Sequence, residues 1–249
     1  MSKISVIVVA AGRGERFGDK QNKIFAKLDG QPLFLRALQL FVNREDVCQT
    51  ILVVAPDDVE EMKTKYGANI GFMGVKFVEG GAQRFESVAN GLAEVADDAE
   101  FVAVHDAVRV CLAEVWIDRI FEAAAEHGSV CPVVPVTATL KRVADDKTIG
   151  ETVPRTGLHT AQTPQVFRRE IILNAYEKLK TNGGEADSVA ITDDAQVVVA
   201  AGHPVTAVVS DPRNIKITSK GDLSLASAIL KSLPQKSVAR RGAFEEAQW

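Results

Sequence analysis

Between Ala10 and Gly18 the chain reads AAGRGERFG, directly after the strand-like run Ile4 to Val9, and Lys23 follows downstream. Small residues let a backbone approach a phosphate chain closely, and Arg13, Arg16 and Lys23 bring positive charge beside it. The segment therefore predicts a polyphosphate site at the end of a first strand. A purely structural strand-to-helix turn would use the same glycines. The known phosphate fingerprints do not fit: Gly12, Gly14 and Gly18 form GxGxxxG, one residue longer than the dinucleotide pattern, and no GxxxxGK[ST] occurs.

Three further clusters follow later strand-like runs. After Val78 comes GGAQRFESV, with Gly80 and Gly81 at a turn and Arg84 and Ser87 near a helix start. After Val104 comes HDAVR, with Asp106 and Arg109, and the last cluster is NIKIT, with Lys216 and Thr218. Taken singly, either arginine reads as a surface charge and Asp106 as a helix N-cap. Joint placement at strand ends is what points to one anion site. His105, His127, His159 and His203 show no HxxxH or HxH spacing, which argues against a metal site, and His105 reads as structural. Asp193 and Asp194 read as helix N-terminal acids, because adjacent helical residues point in different directions.

Elements to position these residues recur along the chain. Strand-like runs stand at Ile4 to Val9, Thr50 to Ala55, Val75 to Val78, Phe101 to His105, Val130 to Val136 and Val205 to Val209. Helical patterns alternate with them at Pro32 to Phe41, Asp57 to Tyr66, Ala113 to Glu126, Arg169 to Asn182 and Gly221 to Leu233, with Gly67 and Gly128 as C-caps. Apolar strands alternating with helices predict an α/β, Rossmann-like, doubly wound and mostly parallel sheet, whose ligands lie at the carboxyl ends of the strands. One segment breaks the rhythm: Leu140 to Val143 and Gly150 to Val153 flank a polar stretch and predict a protruding β-hairpin arm, about residues 138–156. A two-stranded arm needs something to pack against, and a second subunit would supply it. The expected organisation is one domain over 1–233, followed by a charged tail over 234–249.

Composition bounds the partners. The net charge of -4 over 249 residues leaves no global basic field for nucleic acid, so an anion site must come from local clustering of Arg and Lys. Cys48, Cys111 and Cys131 form no CxxC pair, which fits neither a disulfide framework nor a zinc site and suits a reducing compartment. The apolar run after Lys3 is short for a signal peptide, and no stretch approaches a membrane span, so the expected location is cytoplasmic.

From about Ser5 to Ala228 the chain resembles the cytidylyltransferases that act on 2-C-methyl-D-erythritol 4-phosphate in the non-mevalonate isoprenoid pathway. The matching pieces, in order, are AAGRGER with Lys23, GGAQRFESV, HDAVR, VPVTATLK, RTGLHTAQTPQVF, ITDDA and NIKIT. The chain departs from the usual pattern at Val9, Ile24, Ala82, Val108, Val110 and Ala138. Sister enzymes that use ribitol 5-phosphate share most of these motifs, so both polyol phosphates remain open.

The resemblance implies transfer of CMP from CTP to the polyol phosphate. A phosphate monoester is already anionic at neutral pH and needs no general base to attack. The reaction needs in-line placement and cations, with Mg²⁺ held mainly by the nucleotide phosphates. By resemblance, Arg16, Lys23 and Lys216 are the catalytic cations. Ala10, Ala11, Gly12, Gly14, Gly81, Arg84, Ser87 and Ala107 are expected to bind the nucleotide. Asp106, Arg109, Arg155, Thr163 and Thr192 are expected around the polyol phosphate, with Arg155 reaching the neighbouring subunit's site in a homodimer. Two other classes stay in view. A non-catalytic nucleotide-binding module would not need Lys23 together with Lys216. A nicotinamide oxidoreductase would need the shorter glycine spacing and an acid after the second strand, where Asp57 stands nearby.

Overall fold

Alternation along β1 (Ile4–Ala10) sends Val6 and Val8 to one face of a sheet and Ile7 to the other, and all three are fully buried. A strand apolar on both faces needs cover on both, which in a parallel sheet comes from a layer of helices on each side. The computed structural model describes residues 2–12, 17, 22–181 and 190–234, and shows this arrangement.

The chain continues through β2 (Lys27–Leu28), β3 (Gln31–Pro32), α1 (Leu33–Gln39), β4 (Val47–Val54), α2 (Val59–Phe72), β5 (Lys76–Glu79), α3 (Arg84–Leu92) and β6 (Phe101–Asp106). Then come α4 (Glu114–His127), β7 (Ser129–Pro135), β8 (Leu140–Val143), β9 (Ile149–Val153), β10 (His159–Ala161) and β11 (Gln165–Arg168). The described part closes with α5 (Arg169–Thr181), α6 (Asp194–Ala200), β12 (Thr206–Val209) and α7 (Lys220–Leu230).

Along the main sheet β5, β4, β1 and β6 run parallel, and β11 lies between β6 and β7 antiparallel to both. β12 pairs with β7 in parallel, and β10 pairs with it antiparallel. One core packs α1, α2, α4 and α7 on the Val6 face; the other packs α3, α5 and α6 on the Ile7 face. The doubly wound, mostly parallel expectation therefore holds.

Local chemistry accounts for most boundaries. Pro32 immediately precedes α1, which buries Leu33, Phe34, Ala37 and Leu38 on one stripe. Helix α4 buries Trp116, Ile117, Ile120, Phe121 and Ala124 and stops at Gly128, whose φ of 82° suits a residue without a Cβ. One expected stop is corrected. The helix expected to end at Gly67 continues to Phe72, since Gly67 keeps a helical backbone and Gly74 takes the left-handed turn at φ 65°.

Strands β10 and β11 are absent from the sequence reading. They span only His159–Ala161 and Gln165–Arg168, too short for a periodic signal, and they form because β6 and β7 offer open edges. Strands β8 and β9 form a separate two-stranded sheet at the expected arm, with Leu140 opposite Val153. Val143 and Ile149 on that arm are largely exposed. Of the expected tail, residues 235–249 lie outside the described residues.

Candidate active site

Register places four strand ends on one rim. Ala10 pairs with Val54, Val54 with Glu79, and Val9 with Asp106, so the loops that follow all leave the sheet side by side. Backbone bonds tie these exits together: Ala107 N–H donates to Val9 O at 3.0 Å, and Gly80 N–H donates to Val54 O at 2.8 Å. The loop after β12 joins them through Ile217 N–H, which donates to Val108 O at 3.0 Å. A cleft opens there, with Ala10, Ala11, Gly12, Lys23, Arg84, Asp106 and Lys216 among its lining residues. Gly14 and Arg16 lie outside the described residues.

Lys23 opens a short 3-10 turn whose next two residues, Ile24 and Phe25, are buried. Asn22 caps that turn by accepting from Ile24 N–H, and its amide donates to Asp58 at 2.7 Å. Phe25 packs edge-on against Phe34 with ring centres 6.0 Å apart, which anchors the turn to α1. The lysine thus starts from a fixed backbone.

The Gly80–Gln83 turn is held by the start of α3. Ser87 is buried, its hydroxyl donates to Gln83 O at 3.0 Å, and Gly81 N–H donates to it at 3.1 Å. Gln83 and Glu86 complete a reciprocal capping box. Ser87 therefore shapes the wall of the cleft from behind, while Ala82 and Gln83 face it. A Cβ on Gly80 would stand 2.7 Å from Ser87 Oγ and 2.9 Å from Ala11 Cβ, so the two glycine-bearing loops touch only because that atom is missing. A Cβ on Gly81 would overlap Glu86 Cβ. Gly81→Ala is accordingly expected to destabilise the fold by about 1–3 kcal/mol and to raise the KM for nucleotide, read by urea melts and initial rates. Unchanged values for both would remove the turn from the site.

Asp106 is the electrostatic centre. Its side chain is 9% exposed and meets Lys216 Nζ at 2.9 Å, with Arg84 Nη2 and Arg109 Nε each at 3.6 Å. Burial opposes the charge, but Arg84, Lys216 and Arg109 outweigh it and hold the carboxyl well below the usual carboxylate range. Arg84 is itself tied back: Nη1 and Nη2 reach the two oxygens of Asp194 at 3.1 and 2.8 Å. Burial works against this guanidinium too, yet Asp194 and Asp106 raise its pKa above the ordinary value.

Arg109 braces the rim from outside the cleft lining. Its Nη1 donates to Asn214 O at 2.8 Å and its Nη2 to Ala161 O at 3.3 Å, joining the HDAVR and NIKIT segments. Thr163 is also buried; its hydroxyl accepts from Asp106 N–H at 3.0 Å and lies 3.2 Å from His105 Nδ1. The His105 Nε2 lies 2.9 Å from Arg109 O. With Thr163 donating to Nδ1 and Nε2–H donating to that carbonyl, a neutral ring satisfies every partner.

Burial lowers the His105 pKa to about 4 from its ordinary 6.5. The unfolded chain therefore binds this proton first as pH falls from 6.5 towards 4, and stability drops across that window. Asp106 acts below it, because a depressed carboxyl loses its contribution as pH falls through its folded value. Urea midpoints should decline from pH 6.5 downward, and His105→Gln should flatten only the upper part. An unaltered slope in that variant would remove His105 as the cause.

The remaining expected substrate residues stand apart from the cleft lining. Thr192 is exposed and its hydroxyl pairs with Gln196 at 3.2 Å. Arg155 is exposed at the base of the arm, where Nη1 donates to Thr137 O. Residues that the sequence reading missed form the support beneath the cleft. Gln165 Oε1 accepts from Asp194 N–H at 3.1 Å and Ala195 N–H at 2.8 Å, and Asn214 Nδ2 donates to Thr163 O at 3.0 Å. The only signal for them was their place inside the QTPQ and NIKIT motifs.

The arrangement is a cationic cleft beside glycine-bearing loops, suited to holding a polyphosphate and a second anion together. Among the described residues no three His, Cys, Asp or Glu side chains gather to ligate a metal. Asp106 is the one carboxylate among the cleft-lining residues described, and it stands among cations. That donor set fits a Mg²⁺ ion that keeps its waters and is held through phosphate oxygens.

Comparison with known proteins agrees with this chemistry. The sequence profile of 2-C-methyl-D-erythritol 4-phosphate cytidylyltransferase matches residues 4–232. A protein of that name from Rhodopirellula baltica is 39% identical over 240 residues, covering 92% of this chain and 95% of the relative. Another, from Endomicrobium trichonymphae, is 40% identical over 230 residues, covering 92% and 100%. The crystal structure of the enzyme from Thermus thermophilus superposes with a TM-score of 0.75 at 31% identity, covering 93% of this chain and 100% of that one. On this match in sequence, fold and coverage, the chain belongs to the 2-C-methyl-D-erythritol 4-phosphate cytidylyltransferase family.

Proposed function

We propose that this protein transfers CMP from CTP to 2-C-methyl-D-erythritol 4-phosphate, giving CDP-methylerythritol and pyrophosphate for isoprenoid biosynthesis. The observation that carries the reading is the convergence of Lys23, Arg84, Asp106 and Lys216 on one cleft beside Ala10, Ala11 and Gly12. A phosphate oxygen of the polyol attacks the α-phosphorus of CTP; the new P–O bond forms as the α–β bridging bond breaks, and pyrophosphate leaves with that electron pair. Arg16, Lys23 and Lys216 hold the two anions together and stabilise the charge that develops on the leaving group. No side chain has to remove a proton, because the attacking oxygen is already ionised. Bound Mg²⁺, held by the nucleotide phosphates, supplies further charge neutralisation.

The nucleotide lies against the backbone at Ala10, Ala11, Gly12, Gly14 and Ala107, with the base held at Gly81 and Ser87 and with Arg84 bracing that loop or the nucleotide. The polyol phosphate lies towards Asp106, Arg109, Thr163 and Thr192, and Arg155 completes the site of a partner subunit across a dimer built through the arm. Among the described residues no helix is long and apolar enough to cross a membrane. The reading places the enzyme in the cytoplasm, where three thiols without a disulfide are at home.

The test is a panel of CTP, UTP, ATP and GTP against methylerythritol phosphate and ribitol 5-phosphate, with Mg²⁺, scored by pyrophosphate. Turnover confined to CTP with methylerythritol phosphate is expected. Turnover with ribitol phosphate alone would reassign the acceptor, and no turnover with any pair would leave only nucleotide binding.

A further inference from the structure

We infer that Asp194 is a positioning residue for this reaction, holding Arg84 so that Arg84 in turn steadies Asp106 against the Lys216 ammonium. The inference rests on the proposed function and adds a residue outside the cleft lining to its machinery.

The Asp194 side chain is fully buried at 0% exposure. It accepts both Arg84 nitrogens, at 3.1 and 2.8 Å, and the Tyr176 hydroxyl donates to Oδ1 at 2.6 Å. Burial first, and then the Asp194 charge, raise the Tyr176 pKa well above its ordinary value, so the phenol keeps its proton and remains a donor. The carboxylate is thus fixed from two sides, by α3 and α5, while its own backbone N–H is held by Gln165.

Its position at the start of α6 suggests a simpler role, as a helix N-terminal acid. That role is already filled: Asp193 is the N-cap, and its side chain accepts from Gln196 N–H at 2.9 Å. A buried carboxylate contributes little net stability compared with an apolar residue of the same volume. What it does supply is geometry, because a two-point carboxylate contact fixes both the plane and the rotation of a guanidinium. With that plane fixed, Arg84 Nη2 stands 3.6 Å from Asp106 Oδ1, and Asp106 Oδ2 holds Lys216 Nζ at 2.9 Å. The relay runs from the core of one helical layer to the rim in three contacts.

A double-mutant cycle tests it, using Asp194→Asn, Arg84→Gln and both together, with kcat and KM for CTP and melting temperature recorded for each. A small misplacement near a reacting centre costs up to about 10²-fold in rate. Each single variant should therefore lose about 10- to 10²-fold in kcat, and the double variant no more than Arg84→Gln alone. Losses that multiply, or an Asp194→Asn variant that melts lower yet keeps kcat within about two-fold, would overturn the inference. Should Asp194→Asn fail to fold, Tyr176→Phe keeps the ring and removes one contact. It should lower kcat about 3- to 10-fold alone and not at all in the Arg84→Gln background; a loss in that background would count against the relay. A wild-type enzyme that turns over neither polyol phosphate would fault the proposed function instead. The cycle would then be run on CTP affinity by calorimetry, where the same non-additivity is expected and additivity refutes it.

Discussion

Lys216→Ala and Lys23→Ala are each expected to lower kcat by about 10²- to 10³-fold, the usual cost of losing a preorganised contact to developing charge. The two lysines reach the cleft from segments far apart in the chain: Lys23 from the turn after the first loop, and Lys216 from the segment after β12. Neither forms part of the hydrophobic core, and the Lys216 side chain is 39% exposed. The fold should survive both substitutions, with circular dichroism and melting temperature close to wild type. After Lys216→Ala, Asp106 still faces Arg84 and Arg109 at 3.6 Å, so its charge remains compensated. The loss should therefore appear in turnover under saturating CTP rather than in stability. Near-normal turnover in either variant would withdraw that lysine from the catalytic set.

Mixing Arg155→Ala protein with Lys23→Ala protein should restore activity that neither has alone. If Arg155 completes the partner's site, a hybrid dimer carries one site with both residues intact and one with neither. Random exchange of equal amounts makes half the dimers hybrid, so about a quarter of all sites should work. The geometry motivating this is the arm. Arg155 projects from its base, bonded to Thr137 O and apart from the residues lining its own cleft, while Val143 and Ile149 leave apolar surface on the two strands. A two-stranded ribbon is marginal alone and gains stability by packing on another copy. No recovery after verified subunit exchange would mean that Arg155 acts within its own chain, or that the arm does not bring two sites together.

Much of the fold is legible in the amino-acid sequence, for physical reasons specific to its elements. The runs at Ile4, Thr50 and Phe101 are apolar on both faces because their strands are buried on both faces, and α4 announced itself through a stripe from Trp116 to Ala124 and a terminal glycine. Patterns of period two and 3.6 survive in sequence when an element is long enough to repeat them. Strands β10 and β11 are too short to do so and depend on the edges they join. Gly67 misled for a related reason: a glycine within a well-packed helix costs only about 1 kcal/mol, which tertiary contacts override.

The same division applies to the site. Lys23, Asp106, Lys216 and the glycine turns could be singled out from the sequence, because phosphate chemistry demands small residues and cations after strand ends. The roles of Asp194, Gln165 and Asn214 could not. Each takes its role from a partner far along the chain, as Asp194 does from Arg84 and Asn214 from Gln162 and Thr163. A buried polar side chain has its meaning set by whatever neighbour satisfies it, and that neighbour is chosen by packing in three dimensions. Sequence alone therefore determined which groups could meet two anions, and the tertiary structure decided which of them face the cleft and which stand behind it.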